Sequence, residues 1–160
     1  PTARGLLLRR RTRACVSGTL RPGRSCRFCT RVDAAGIMFY PRFFDNFHVV
    51  FEDMFSELTG KPYTHLLEDR RIGFPTVHIE TDFRRPFRFG EEMRLVLDVV
   101  EYGETSILFR YRGFHPDQDE PSVEAQGKVV VLDLDAFKPV PIPDDIRAIL
   151  DDLSIGDGSR

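Results

Sequence analysis

The segment RVDAAGIMFYPRFFDNF, residues 31–47, places one carboxylate in front of a long run of large apolar residues. Asp33 is the first acidic residue of the whole chain, and Gly36 permits a tight turn directly after it. A carboxylate in this position is able to act as a general base on water or as a nucleophile. It is equally able to cap the following element or to remain a solvated loop charge, so the pattern alone leaves these alternatives open.

A long helix is predicted directly after this segment. Pro41 suits the first turn of a helix, where its missing N–H has no partner in any case, and Gly60 followed by Pro62 is a stop signal. Apolar side chains recur at steps of three and four, at Phe44, Phe47, Phe51, Phe55 and Leu58. The start of such a helix presents unpaired N–H groups and a partial positive charge, which stabilise a developing oxyanion.

The remaining elements are predicted to be strands, followed by a short helix at the end. Residues 75–83, 93–102, 105–114 and 122–134 have a period of two, with a tight turn at Gly103. A terminal helix is predicted over residues 143–150. The broad aromatic face of the long helix needs a large cover, so the sequence predicts an α+β fold with one helix against one curved antiparallel sheet.

Charge is distributed unevenly along the 160 residues. Residues 1–32 hold nine arginines and no acid, so with a net charge of −2 the rest of the chain carries about −11. The arginines indicate a leader over residues 1–25, for which a nucleic-acid arm, a transit peptide and a solvated extension stay open. The acidic body argues against a nucleic-acid partner. We expect one domain over residues 26–153 and a loose tail over 154–160.

No apolar run approaches the roughly 18 residues of a membrane span, so we expect no membrane partner and a cytoplasmic location. The three cysteines, Cys15, Cys26 and Cys29, do not make a disulfide framework. Cys26 and Cys29 have C-x-x-C spacing, but a zinc site needs four ligands and no second pair exists. We therefore predict no metal site.

Three stretches resemble one known family. VDAAGIMFYPRFF resembles the signature of the 4-hydroxybenzoyl-CoA-type thioesterases of the hotdog fold: an Asp, two residues, Gly, an apolar pair, an aromatic pair, Pro and a long helix. GFPTVHIETDFRRPFRFGEEM and KPVPIPDDIRAIL resemble the second strand with its turn and the closing segment of that family. The resemblance covers roughly residues 26–150. It implies a sheet wrapped around the helix, a dimer or tetramer with active sites at the subunit interface, and no cofactor, because the CoA thioester is the substrate.

The resemblance also implies residue roles. Asp33 would be the base or the nucleophile, and the backbone N–H of Tyr40 would bind the carbonyl oxygen. A thiolate leaves readily, since thiol pKa values lie near 8.5, so one carboxylate suffices. The residues implied at the substrate are Gly36, Phe39, Phe43 and His78, whereas Phe47, Phe51 and Phe55 are predicted to be core.

The sequence departs from the family pattern at two places. Arg31 stands where the family often has a second acid. The hairpin EYGETS lacks the cations that some members use for CoA phosphates. Arg84 and Arg85 are expected to bind them instead. The alternatives are Arg88, Arg110, Arg112 and the N-terminal arginines of either subunit.

The expected function is hydrolysis of an acyl-CoA, and the aromatic-rich segment favours an aryl-CoA such as 4-hydroxybenzoyl-CoA. Two alternatives remain: a thioesterase for short aliphatic acyl-CoA or acyl-carrier-protein substrates, and a non-catalytic hotdog protein that binds acyl-CoA.

Overall fold

A computed structural model gives the structure of the protein, and it describes residues 24–29 and 32–155. The helices are α1 (Pro41–Thr59), α2 (Thr64–Glu68) and α3 (Asp144–Ile155). The strands are β1 (Arg24–Cys29), β2 (Ile72–Gly73), β3 (Thr76–Phe83), β4 (Glu92–Tyr102), β5 (Ser106–Phe114), β6 (Val123–Val130), β7 (Leu132–Asp133) and β8 (Lys138–Pro139). The predicted leader up to residue 23 and the predicted tail from residue 156 lie outside the described residues.

Helix α1 confirms the predicted long helix at both ends. Pro41 occupies its first position, and Gly60 ends it in the left-handed conformation with φ 67°. That backbone geometry suits glycine, which has no Cβ to clash. The apolar face of α1 is buried at Phe43, Phe47, Val50, Phe51, Met54 and Phe55.

Five antiparallel strands cover this face of α1 in the order β1-β4-β5-β6-β3. Their inner residues alternate with outer ones: in β5, Ile107, Phe109 and Tyr111 are buried, while the residues between them are half-buried. The ring of Phe51 contacts Phe109 at 5.4 Å, so the core lies between helix and sheet. This arrangement is the predicted α+β hotdog fold.

The position of β3 differs from a simple meander. β3 follows α1 and α2 in the chain but pairs with β6, the last strand of the meander β4-β5-β6. It therefore forms one edge of the five-stranded sheet, with β1 at the other edge.

The prediction of one strand over residues 122–134 is wrong. The N–H of Val131 donates to the carbonyl of Thr105 at 2.7 Å, and the carbonyl of Val131 accepts from Val140 at 2.9 Å, so the chain leaves the large sheet there. The strands that follow, β7 and β8, form a small sheet with the earlier strand β2.

The terminal helix is longer than predicted. α3 continues past the predicted end at Leu150 to Ile155. Among the described residues, no helix has the length and apolar character required to cross a bilayer.

Candidate active site

A tight turn presents Asp33 at the protein surface. The N–H of Asp33 donates to the carbonyl of Ile37 at 2.9 Å, and the N–H of Gly36 donates to the carbonyl of Asp33 at 3.0 Å. Gly36 has a φ of 76°, a conformation that favours glycine. Asp33 Oδ1 accepts the N–H of Ala35 at 2.7 Å, which fixes the side chain, and Oδ2 has no partner among the described residues. The carboxylate is thus oriented, exposed and available to a ligand.

The start of α1 follows this turn. Tyr40 is its N-cap residue, no side chain of a described residue caps the helix, and its first turn holds no acid. The N–H groups of Arg42 and Phe43 reach back to the carbonyls of Phe39 and Tyr40. Pro41 has no N–H, and the N–H of Tyr40 donates to no described residue. Within the described part of the chain, the helix N-terminus therefore has one amide without a partner, and it carries a partial positive charge.

The predicted substrate residues divide into exposed and buried groups. Phe39 and Tyr40 are 47% and 60% exposed, and their rings meet edge to face at 5.2 Å. Phe43 is only 4% exposed and contacts the rings of Phe83 at 5.1 Å and Phe87 at 6.0 Å. Phe43 is therefore a core residue whose edge reaches the half-exposed ring of Phe83.

His78 does not meet the Asp33 turn within one chain. It lies opposite Lys128 in the pairing of β3 with β6, whereas Phe83 lies opposite the buried Val123. Since side chains alternate along a strand, His78 occupies the face of the sheet that points away from α1. The side of β3 that faces the helix carries Ile79, Thr81 and Phe83 instead.

The segment between β3 and β4 holds the Asp33 turn in place through backbone hydrogen bonds. The carbonyl of Phe87 accepts the N–H of Met38 at 2.7 Å, and Ile37 forms a bridge with Arg88. The side chain of Phe87 is fully buried. The turn and the start of α1 are thus attached to a fixed part of the sheet.

A polar network that the sequence did not predict stabilises the segment between β3 and β4. His115, at the end of β5, stacks on Phe87 at 4.0 Å, and its Nδ1 and Nε2 lie 2.7 Å from Ser122 Oγ and 3.3 Å from Glu91 Oε2. Glu91 also accepts the N–H of Arg88 at 2.7 Å. This hydrogen bond, together with the bond from His115, lowers the pKa of Glu91. The only sequence signal was the polar loop over residues 115–121, which does not indicate these partners.

The two arginines expected at the CoA phosphates have partners within the chain. Arg84 pairs with Glu124 at 2.9 Å, and Arg85 donates to the amide oxygen of Gln118. Arg85, Arg88 and His115 line an open cleft of about 780 Å³ beside the segment that supports the Asp33 turn.

The chain belongs to the Thioesterase-like superfamily, whose family model matches residues 29–150. The match contains α1, the whole meander and the Asp33 turn, so it covers every part of the candidate site described above. The chain is accordingly a member of a thioesterase class, with the hotdog fold.

Curated relatives of the chain include two cyanobacterial proteins. The chain is 26% identical over 116 residues to a 1,4-dihydroxy-2-naphthoyl-CoA hydrolase of Synechococcus elongatus, covering 72% of this chain and 83% of the relative. It is 27% identical over 89 residues to a protein of the same name from Picosynechococcus sp.. That alignment covers 56% of this chain, and it spans 60% of the relative's own length.

Solved structures share the fold. A gentisyl-coenzyme A thioesterase superposes with a TM-score of 0.69 at 24% identity, over 78% of this chain and 99% of its own. A 1,4-dihydroxy-2-naphthoyl-CoA thioesterase from Synechocystis superposes with a TM-score of 0.73 at 19% identity, over 81% and 96% of the two chains. At these identities the superpositions establish the architecture.

Proposed function

We propose that the protein hydrolyses an aryl-CoA to the free acid and CoA. The observation that carries this proposal is an exposed and oriented carboxylate, Asp33, seven residues before a helix start whose Tyr40 N–H has no partner among the described residues. The turn over residues 33–37 lies between the two groups, and the residues after it are bonded to the segment between β3 and β4. Family membership in a thioesterase class supports the same chemistry.

The geometry supports a two-part mechanism. The thioester carbonyl oxygen accepts the N–H of Tyr40, and the partial charge of α1 stabilises the negative charge that develops on it. Asp33 either removes a proton from the attacking water or attacks the carbonyl carbon itself. The tetrahedral intermediate then expels the CoA thiolate, a good leaving group that needs no strong general acid. When Asp33 is the nucleophile, the product of this step is a mixed anhydride of Asp33 and the acyl group, and water hydrolyses it to the free acid and restores the carboxylate.

An aromatic acyl group is supported by two observations. Phe39 and Tyr40 present aromatic rings to solvent beside the catalytic groups, and such rings pair with another ring in offset or edge-to-face geometry. The relatives and a solved neighbour are named for the aromatic acyl groups 1,4-dihydroxy-2-naphthoyl and gentisyl. We include 4-hydroxybenzoyl-CoA, the substrate of the family that the sequence resembles, among the proposed substrates.

Arg85 is proposed to bind the phosphates of CoA, with Arg84 beside it. The cleft that Arg85 lines adjoins the segment carrying the Asp33 turn, which supports this placement. Each arginine then exchanges or shares its present partner, Gln118 or Glu124, when the anion binds.

The site is proposed to be completed by a second copy of the chain. β3 is an edge strand whose side chains Val77, Ile79 and Phe83 are exposed, and unpaired edges with apolar side chains favour association. Phe83 also contacts Phe43 of the first turn of α1, so the same edge lies close to the candidate site.

The test is a substrate panel followed by free-thiol release. The panel holds 4-hydroxybenzoyl-CoA, 1,4-dihydroxy-2-naphthoyl-CoA, butyryl-CoA and the butyryl thioester of acyl-carrier protein. The proposal predicts kcat/KM highest for an aryl-CoA. Faster hydrolysis of a butyryl thioester would favour the aliphatic alternative. Acyl-CoA binding without hydrolysis would show a non-catalytic hotdog protein.

A further inference from the structure

Two small residues lie on the helix-facing side of the sheet between β5 and the edge strand β3. They are Ala125 and Gly127 of the intervening strand β6, and the larger Val123 and Val129 flank them on the same face. A Cβ built on Gly127 would lie 3.3 Å from the ring of Tyr111 and 3.8 Å from Cδ1 of Ile79. The ring of Tyr111 therefore leans over Gly127 toward β3, and any larger residue at position 127 would displace it.

Tyr111 is a buried tyrosine whose hydroxyl has no partner among the described residues. Its ring stacks on Phe47 of α1 at 4.7 Å and 24°, and the residue is 6% exposed. Burial raises the pKa of Tyr111, so the hydroxyl stays protonated and able to donate. Packing explains why an aromatic ring stands at position 111. It does not explain the hydroxyl, because a phenylalanine would pack equally well.

Thr81 supplies a second hydroxyl, and its oxygen is buried. It pairs with Ala125, which in turn pairs with Tyr111, so all three lie in one row on the helix-facing side. Thr81 Oγ1 is buried and makes no hydrogen bond with a described residue. A buried hydroxyl without a partner is costly, so Thr81 Oγ1 points to an external group that binds it. The hydroxyl of Tyr111, in the same row, is placed to bind that group as well.

The distance along α1 matches the size of an aryl group. Tyr40 and Phe47 are seven residues apart, which is about 10 Å along a helix axis. Tyr111 stacks on Phe47, while the free N–H of Tyr40 marks the proposed position of the thioester carbonyl. This separation is comparable to the length of a carbonyl, one aromatic ring and a hydrogen bond at the far end.

We infer that Tyr111 is a specificity-determining residue whose hydroxyl, together with Thr81 Oγ1, binds a ring hydroxyl of the acyl group. The inference deepens the proposed function and rests on it. Tyr111 does not act on the reacting atoms; it selects acyl groups that carry a polar substituent at the end remote from the thioester. A site built to bind a substrate hydroxyl discriminates against analogues that lack it, because its own polar groups are then left unpaired.

The test compares Tyr111→Phe with the wild type on 4-hydroxybenzoyl-CoA and benzoyl-CoA. The preference, the ratio of the two kcat/KM values, should fall about tenfold in the variant, the effect expected for one lost hydrogen bond. The inhibition constant of 4-hydroxybenzoate should rise relative to that of benzoate by a similar factor. Thr81→Val should shift both ratios in the same direction.

Tyr63→Phe is the matched control. Tyr63 is also buried, at 7% exposure, but it packs on Phe51, Phe55 and Phe74 toward the other end of α1. This variant should leave both ratios as they are in the wild type.

The inference is overturned if folded Tyr111→Phe keeps the wild-type ratio of kcat/KM values. It is also overturned if kcat/KM falls equally for both esters. Either result leaves the proposed thioesterase function standing. If Tyr111→Phe does not fold, the same ratios in Thr81→Val decide the question. Failure of the wild type to hydrolyse any aryl-CoA would instead overturn the proposed function, and the inference with it.

Discussion

Phe43 connects the core to the candidate site. Its ring is as well buried as that of Phe51, yet it lies in the first turn of α1 and touches Phe83 at the exposed sheet edge. Phe43→Ala should therefore lower the free energy of unfolding by about 3–5 kcal/mol, as Phe51→Ala should, because each leaves a cavity. Urea denaturation of the two variants measures this directly.

The half-exposed Phe39 provides the control for that comparison. Phe39→Ala removes an exposed ring, so its stability should change by less than about 1 kcal/mol while KM for an aryl-CoA rises. A Phe43→Ala variant as stable as Phe39→Ala would place Phe43 in an open pocket, as the sequence had predicted.

At the residue scale, the sequence predicted those features that depend on residues close by in the chain. The turn at Asp33 and the start of α1 follow from Gly36 and Pro41, which lie within a few residues of them. The role of the Tyr40 N–H was expected from the family resemblance and stays a prediction. The partners of His115 could not be predicted, because they depend on how β5 aligns with two distant loops. The same holds for Tyr111, whose surroundings are set by the register of β5, β6 and β3.

At the element scale, the first turn of α3 is anchored by Arg70. The guanidinium donates to both oxygens of Asp145, at 2.7 and 3.0 Å, and these hydrogen bonds lower the pKa of Asp145. Since the folded pKa lies below the unfolded one, the pair stabilises the protein above the unfolded pKa, about 3.9. That stability is lost as the pH falls through the folded value.

Asp145→Asn should therefore lower the melting temperature near neutral pH and have progressively less effect below about pH 4. The pair is half-exposed, so solvent screening limits the loss to about 0.5 kcal/mol. Asp144→Asn removes a charge from the same helix start but keeps the pair of Arg70 with Asp145. It should therefore lower the free energy of unfolding by less. An effect of Asp145→Asn that does not change with pH would contradict this account.

The elements themselves were predictable where one segment carries its own signals. α1 has a helical stripe between Pro41 and Gly60, and β4 and β5 alternate around the turn at Gly103. The placement of β3 beside β6 was not predictable, because pairing partners are chosen by packing on α1 and not by sequence order. The break at Val131 likewise depends on hydrogen bonds to Thr105 and Val140.

At the scale of the whole molecule, the exposed edge strand predicts self-association. The wild type should have at least the mass of a dimer by light scattering at micromolar concentration, because β3 leaves an apolar edge uncovered. Val77→Lys adds a charge on this strand and should shift the mass toward the monomer. Val100→Lys, at an exposed position of β4, should not. A monomeric and fully active wild type would contradict the shared interface.

The central claim is that Asp33 performs the chemistry, and Asp33→Asn tests it most directly. The amide keeps the oxygen that accepts the N–H of Ala35, so the turn and the fold should survive. It is neither a base nor a competent nucleophile, so kcat for the best aryl-CoA should fall at least about 10²-fold, with KM little changed.

Asp45→Asn, which alters an exposed aspartate of α1 paired with Arg42, should keep the wild-type rate and controls for loss of a surface charge. The decisive measurement is kcat of folded Asp33→Asn under saturating substrate. A fall of two or more orders of magnitude is the predicted result, and a rate near that of the wild type would contradict the assignment.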